Sequence, residues 1–189
     1  MKTRYLLVTI ITMLFAISIQ TQAQSKSEKK MLVIYYSWSN SGNTRNVAGQ
    51  IKEATGADIF EIVPVNPYPR DYMECVKQAR KEIDSDFKPE IKGKVEDFDS
   101  YDIIFVGSPN WWSTIAPPVA TFLSSYNFKG KIILPFMTHE DTRLGRSMEA
   151  IKKLCPDADI RSGLPIQEKA VPNAGNDIQK WLKNNGIKE

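Results

Sequence analysis

The 189-residue chain is 42% hydrophobic and 25% charged, an ordinary globular composition that excludes disorder or low complexity as a description of the whole. Two cysteines, neither in a C-x-x-C pair, exclude a disulfide scaffold and a dithiol or zinc-ribbon site, and a single histidine excludes a multi-histidine metal centre. A formal charge of +3 is too small and too dispersed to point to nucleic acid.

The first element is an expected export signal. Met1-Lys2-Thr3-Arg4 is a basic start, Leu6 to Ile19 is an uncharged and mostly apolar run, and small residues stand at Thr21 and Ala23. This three-part pattern predicts a secretory signal over 1–23, cleaved after Ala23. The apolar run is about 14 residues, short of the roughly 20 that a spanning helix needs. No cysteine near the cleavage point suggests lipidation. Cleavage removes Lys2 and Arg4 and no acid, so the net charge falls from +3 to about +1, leaving little field to steer charged partners. The expectation is an exported protein, in a bacterial periplasm, with no stable membrane span after cleavage. Residues 24–30 form a polar lead-in, and one domain is expected over 31–187.

From Met31 the pattern alternates. Met31 to Tyr36 is a continuous apolar run, as in a strand buried on both faces. A polar loop from Ser37 to Asn43 precedes a helix from Thr44, with Val47, Ala48, Ile51 and Ala54 on one face and Gly56 as its stop. Asp58 to Val63 reads as a second strand ended by Pro64, and Asn66-Pro67-Tyr68-Pro69 as a turn. Asp71 with Glu74 signals a helix start, followed by Val76, Ala79 and Ile83 at helical spacing. A third strand runs from Ile103 to Val106 and closes at Gly107-Ser108-Pro109. Pro117-Pro118 opens a helix carrying Val119, Phe122, Leu123 and Tyr126. Ile132 to Met137 is a fourth strand, and Leu144, Met148, Ile151 and Leu154 line the next helix. A weaker fifth strand lies at Asp159 to Ile166, and Ile178, Trp181 and Leu182 mark a last helix stopped by Gly186. The Lys-, Glu- and Asp-rich helix surfaces read as solvated faces, and Trp181-Leu182 as core.

Five strands alternating with helices predict an α/β fold, a five-stranded parallel sheet with helices on both faces. Ligands on such sheets bind beyond the carboxyl ends of the strands. The loop Ser37 to Thr44 supplies hydroxyls, amides and a glycine directly before a helix, where N–H groups and the helix dipole favour an anion. It is neither a Walker loop nor a G-x-G-x-x-G loop. It reads equally well as a plain capping loop. Ser108-Pro109-Asn110-Trp111-Trp112 brings two adjacent indoles to a strand end, one expected to be buried and the other to face the cleft. Together the two loops suggest a ligand with a phosphate and a planar ring.

These segments, with Asp58-Ile59-Phe60-Glu61-Ile62, Pro67-Tyr68-Pro69 and Pro135-Phe136-Met137-Thr138-His139, resemble a flavodoxin-like subfamily over essentially the whole chain from Met31 to the last helix. The resemblance implies a three-layer flavodoxin-like sandwich with FMN at the switch point between the first and third strands. It implies that Ser37, Ser41, Gly42, Asn43 and Thr44 hold the FMN phosphate, with Ser39 a further candidate. Pro109, Asn110, Trp111 and Trp112 would line the isoalloxazine, and Thr138 and His139 would lie in the third flavin-side loop. Two features depart from the subfamily's pattern. The first loop is two residues longer than Ser-Trp-Ser-Gly-Asn-Thr, and Glu140-Asp141-Thr142-Arg143 stands where a Gly/Ser-rich stretch is usual. No catalytic residue and no metal ligand is assigned. His139 is expected to position a loop or a ligand edge rather than to transfer a proton. Cys75 and Cys155 are either a disulfide or two free thiols.

Three functions fit this reading. One is an FMN-binding electron-transfer protein whose partner is a redox protein or a small-molecule acceptor. The family's low-potential carriers are strongly acidic, unlike this chain. Another is an FMN-dependent reductase of quinones or other small acceptors. The last is a non-enzymatic flavodoxin-fold binding module without flavin.

Overall fold

The computed structural model describes residues 29–187. The expected signal segment, and all of the lead-in except Lys29 and Lys30, lie outside the described residues. The elements in chain order are β1 (Met31–Tyr35), α1 (Asn43–Thr55), β2 (Asp58–Glu61), β3 (Val63–Pro64), α2 (Tyr72–Asp84) and β4 (Ile91–Lys92). Then come β5 (Ile103–Trp111), β6 (Thr114–Ile115), α3 (Pro117–Ser125), β7 (Ile132–His139), α4 (Ser147–Leu154), β8 (Asp159–Ile160), β9 (Leu164–Gln167) and α5 (Gly175–Asn184).

The main sheet runs β2-β1-β5-β7, with β8 and β9 both on the outer edge of β7, and every one of these pairings is parallel. Its two faces carry separate cores, because successive residues of a strand point to opposite sides. Leu32, Ile34, Val106, Ile133 and Met137 pack on one side with α3 residues Val119, Phe122 and Leu123 and with Ile151 of α4. Val33, Tyr35, Phe105, Leu134 and Phe136 pack on the other with Val47 and Ile51 of α1 and with Ile178, Trp181 and Leu182 of α5. The expected α/β architecture and the core role of Trp181-Leu182 are therefore present.

Several boundaries differ from the sequence pattern. The second strand breaks after Glu61, and Val63–Pro64 pairs instead with Ile91–Lys92 in a small antiparallel sheet. The third strand does not close at Gly107 but continues to Trp111. Pro109 is tolerated there because β1 has already ended opposite Gly107, so the missing N–H leaves no ladder bond unmade on that side. The fourth strand runs on to His139, so Thr138 and His139 are strand residues rather than loop residues. The fifth strand is split. Ile133 pairs with Ile160 and Phe136 with Leu164, and the interruption at 161–163 falls opposite Pro135, which has no N–H to offer. The fourth helix begins at Ser147, which leaves Leu144 in the preceding turn. The start of α2 is as expected: the Asp71 carboxylate accepts the Glu74 N–H at 2.9 Å.

Candidate functional site

After β1 the chain crosses to α1 on one face of the sheet, and after β5 it crosses to α3 on the other. That divergence opens a crevice at the carboxyl edge between adjacent strands. One cavity of about 710 Å³ occupies it, within the size range of small-molecule sites. Ser39, Thr44, Pro109, Asn110, Trp111, Trp112, Thr138 and His139 all line it. Ser37, Ser41, Gly42 and Asn43 belong to the loop and helix start that border the cavity and are not among its lining residues.

The first wall is the β1–α1 loop. Gly42 takes the left-handed conformation at φ 65° and turns the chain into α1. The Ser39 hydroxyl accepts the Asn43 N–H at 3.1 Å, and the Ser39 carbonyl accepts the Gly42 N–H at 2.9 Å. The Ser41 hydroxyl donates to Asn43 Oδ1 at 2.8 Å, and Asn46 Nδ2 donates to the Ser41 carbonyl at 3.0 Å. No side chain of the N-cap residue caps α1. The N–H groups of Thr44 and Arg45 lack intrahelical carbonyls, as any first turn does, and present an anion site at the positive end of the helix dipole. The Thr44 and Thr138 hydroxyls share a buried hydrogen bond of 2.8 Å, which ties α1 to the end of β7.

The second wall is not a loop, as the sequence suggested, but a β-hairpin. Asn110 pairs with Ile115 and Trp111 with Thr114, so Trp112-Ser113 is a two-residue turn. Both residues have positive φ, 52° and 63°, in a turn that ordinarily selects Asn-Gly. Holding non-glycine residues there costs about 1–3 kcal/mol each. Contacts to α2 offset that cost: Trp112 Nε1 donates to the Val76 carbonyl at 3.1 Å, and the Arg80 guanidinium lies 4.8 Å from the ring centroid. Both indoles line the cavity. Trp112 remains 42% exposed, whereas Trp111 is half-buried against Tyr36, Trp38 and Tyr68.

The third wall is the end of β7 and the turn after it. Asn110 Nδ2 donates to the Arg143 carbonyl at 2.7 Å, and the Arg146 N–H donates to the Ser113 carbonyl at 2.6 Å, which clamps this turn to the hairpin. Gln167 Nε2 holds the Glu140 carbonyl at 2.8 Å. His139 is only 6% exposed, and its Nδ1 has no partner in the structure. Burial, and then the nearby Arg143 charge, push its pKa below the usual value of about 6.5, so the ring is neutral at pH 7. Acidification then favours the unfolded chain, which binds the proton more readily. Stability should fall from about pH 6.5 downward and level off below the folded pKa. Thermal melts between pH 8 and 5.5 check this, and His139→Gln should flatten the slope, since no other histidine contributes. An unchanged slope would refute the assignment.

Sequence reasoning missed the α2 wall. Tyr72, Val76, Ala79 and Arg80 line the cavity. Val76 and Ala79 read, with Ile83, as a core face, and only the hairpin folded against α2 turns part of that helix into a wall. It also missed Trp38, whose Nε1 donates to the Pro69 carbonyl at 3.0 Å, and the charged lining of Arg146 and Glu168, whereas Glu140 and Asp141, noted in the sequence after His139, do line the cavity. Glu82 of α2 corrects the view of acidic helix surfaces as solvated, because it is buried and bonded to Tyr68 and Gln78.

Both cysteines are buried free thiols, not a disulfide. Burial pushes the Cys155 thiol up to about 12; burial, then the Glu82 carboxylate, push Cys75 up to about 11. Neither thiol is therefore a reactive thiolate near neutral pH. Among the described residues no cluster of His, Cys, Asp or Glu is placed to hold a metal, and no helix is long and apolar enough to cross a membrane.

The comparison with curated proteins gives no match. Among solved structures, a protein described as a flavoprotein from Bacteroides eggerthii is 31% identical, over 84% of this chain and 99% of that one, with a TM-score of 0.71. A second protein so described, from Bacteroides uniformis, is 24% identical over 83% and 99%, with a TM-score of 0.72. A flavoprotein in complex with FMN from Lactobacillus acidophilus is 24% identical over 81% and 98%, with a TM-score of 0.64. The family model described as Flavodoxin matches residues 30–185, and with this cavity at the switch point of its sheet the chain belongs to the flavodoxin family.

Proposed function

We propose that this protein binds FMN in the switch-point cavity and transfers electrons through it. The observation that carries the reading is the juxtaposition in one cavity of two tryptophans and a helix start whose Thr44 and Arg45 N–H groups have no intrahelical carbonyl. The residues fit that cofactor in a second respect. Ser37 Oγ, Asn110 Oδ1 and His139 Nδ1 are buried polar atoms without partners, all on segments at this edge. Native interiors rarely leave such atoms unpaired unless a ligand or water completes them. The FMN complex of the Lactobacillus acidophilus protein supports the same reading.

In this reading the N–H groups of Thr44 and Arg45, with the hydroxyls of Ser39 and Thr44, hold the phosphate. Trp111 and Trp112 pack on the ring and exclude water from it. Asn110 and His139, each one residue beyond the paired Pro109 and Thr138 on β5 and β7, offer hydrogen bonds to the ring's polar edge. When bound, FMN supplies a ring that accepts and returns one or two electrons. A neutral His139 adds no positive charge there, and Glu140 and Asp141 oppose extra negative charge on the reduced ring. The partner would be a redox protein or a small acceptor, and the N-terminal signal pattern would place the exchange outside the cytoplasm. Extension of the cavity to α2 favours a second reading, reduction of a small acceptor seated beside the flavin.

The test is to titrate the purified protein with FMN and with riboflavin, which lacks the phosphate. Two charge-assisted hydrogen bonds at about 1.5 kcal/mol each predict that FMN binds roughly 100-fold more tightly. Equal affinity would refute the phosphate assignment. Failure to retain either flavin would refute both redox readings and leave the flavin-free binding module. Reductive titration of the loaded protein then separates the first two: a carrier takes up its electrons in two resolved stages, a two-electron reductase in one.

A further inference from the structure

Behind the cavity wall lies a polar group that flavin binding does not use. Glu82, 8% exposed, has no cationic partner among the described residues. Its Oε2 accepts the Tyr68 phenol and its Oε1 accepts Gln78 Nε2 at 2.8 Å. Tyr68, 4% exposed, in turn stands edge to face with Trp111, ring centroids 5.0 Å apart, and Trp111 lines the cavity. The three side chains form one continuous line from the cavity into the core.

We propose that Trp111, Tyr68 and Glu82 form a one-electron relay that draws oxidising equivalents out of the cavity and holds them as a tyrosyl radical on Tyr68. The identity of the natural oxidant, a photoexcited FMN ring against Trp111, rests on the FMN reading; the relay's own chemistry does not. The oxidant takes one electron from Trp111 and is itself reduced by one, leaving an indole radical cation. Tyr68 passes an electron to that indole across the ring contact. Its phenolic proton moves along the existing hydrogen bond to Glu82 Oε2. The products are neutral Trp111, a neutral tyrosyl radical and a protonated Glu82 carboxyl, and return of one electron and one proton restores the start. Burial and the neighbouring carboxylate hold the Tyr68 phenol protonated far above its usual range, so the proton does not leave ahead of the electron. The preset acceptor removes the need for water to take the proton. A purely structural Tyr68–Glu82 pair would satisfy the same hydrogen bonds but would not move electrons.

The experiment oxidises the FMN-free protein with photogenerated tris(bipyridine)ruthenium(III) and reads radicals by transient absorption and freeze-quench EPR. Tyr72 is 58% exposed and would be oxidised directly, so all samples carry Tyr72→Phe. The expected result is a tyrosyl radical that Tyr68→Phe largely abolishes, with a tryptophan radical persisting in its place. Glu82→Gln should slow tyrosyl formation at least about tenfold, the equivalent of about 1.4 kcal/mol in barrier. Should Glu82→Gln fail to fold, slowing in deuterium oxide that is absent from Tyr68→Phe reads the same proton transfer. Tyrosyl yield unchanged in folded Tyr68→Phe would overturn the relay. Flash excitation of FMN-loaded protein should reproduce the pattern. Failure to retain FMN would refute the FMN reading alone, because the ruthenium experiment still decides the relay.

Discussion

Gly145→Ala should lower FMN affinity at least about tenfold while costing less in global stability. Gly145 sits at φ +49° in the turn after β7, and a Cβ built on it would lie 2.4 Å from the Ser113 carbonyl oxygen and 2.9 Å from both the carbonyl carbon and Cα of Ser113. These are backbone atoms, so no rotamer change relieves the clash. The same Ser113 carbonyl accepts the Arg146 N–H at 2.6 Å, and Asn110 grips the Arg143 carbonyl at 2.7 Å. A methyl group at 145 therefore pries the hairpin from the turn and strips hydrogen bonds of about 0.5–1.5 kcal/mol each. It adds a left-handed penalty of about 1–2 kcal/mol for a residue with a Cβ. The strained Trp112-Ser113 turn has few other supports, so the loss should appear locally, as a displaced indole wall. A tenfold affinity change needs only about 1.4 kcal/mol of that loss to fall on the bound state. Flavin titration measures it, and amide exchange across 110–115 locates it. Gly145→Asn is the discriminating control, because asparagine tolerates positive φ but still carries a Cβ. If Asn restores binding, conformational strain and not the Ser113 contact was responsible. Unchanged affinity and exchange in both variants would remove the clamp from the account.

The architecture was legible because its strands are buried on both faces. The apolar runs at 31–36, 103–106 and 132–137 need no partner information to be read as parallel strands, and helical spacing then places Val47, Ile51, Phe122, Ile151 and Ile178 against them. The β1–α1 loop stood out for a local reason, hydroxyls and a glycine directly before a helix, but the same residues serve equally well as a plain cap. What was hidden depended on neighbours distant in sequence. Pro109 reads as a strand end, yet it lies where β1 has stopped and its absent N–H has nothing to pair with. Pro135 reads as an ordinary strand residue, yet it coincides with the break between β8 and β9. Trp112-Ser113 carries none of the Asn-Gly chemistry of a tight hairpin, because α2 rather than local preference holds it. Once that hairpin is in place, α2 becomes a cavity wall. Glu82, which resembles any solvated helix carboxylate, is left beneath it with Tyr68.

The largest loss of stability should follow from Gly107→Ala, in the middle of the sheet. Gly107 pairs with Tyr35 of β1 on one side and Phe136 of β7 on the other. The Phe136 ring lies over it: a Cβ at 107 would meet ring atoms at 2.2, 2.5 and 2.9 Å. Phe136 is fully buried in the core that also holds Val47, Ala48 and Ile51 of α1, so the ring has no solvent to move into and must push on that helix. Overpacking of this kind costs about 1–3 kcal/mol, and the rigid aromatic neighbour argues for the upper end. In a domain of this size that is a fall in Tm of roughly 6–12 °C. The displaced helix is the one whose N-terminus faces the cavity, so FMN affinity should fall with stability. A double-mutant cycle isolates the cause. Phe136→Leu alone should destabilise by opening a void, but Gly107→Ala with Phe136→Leu should cost clearly less than the sum of the two, because the methyl group then occupies space the ring has vacated. Thermal or urea unfolding of the four proteins gives the coupling energy. Additive costs would mean that Gly107 is required for some reason other than contact with Phe136. A favourable coupling would show that this glycine is there to let an aromatic ring cross the strand beneath α1.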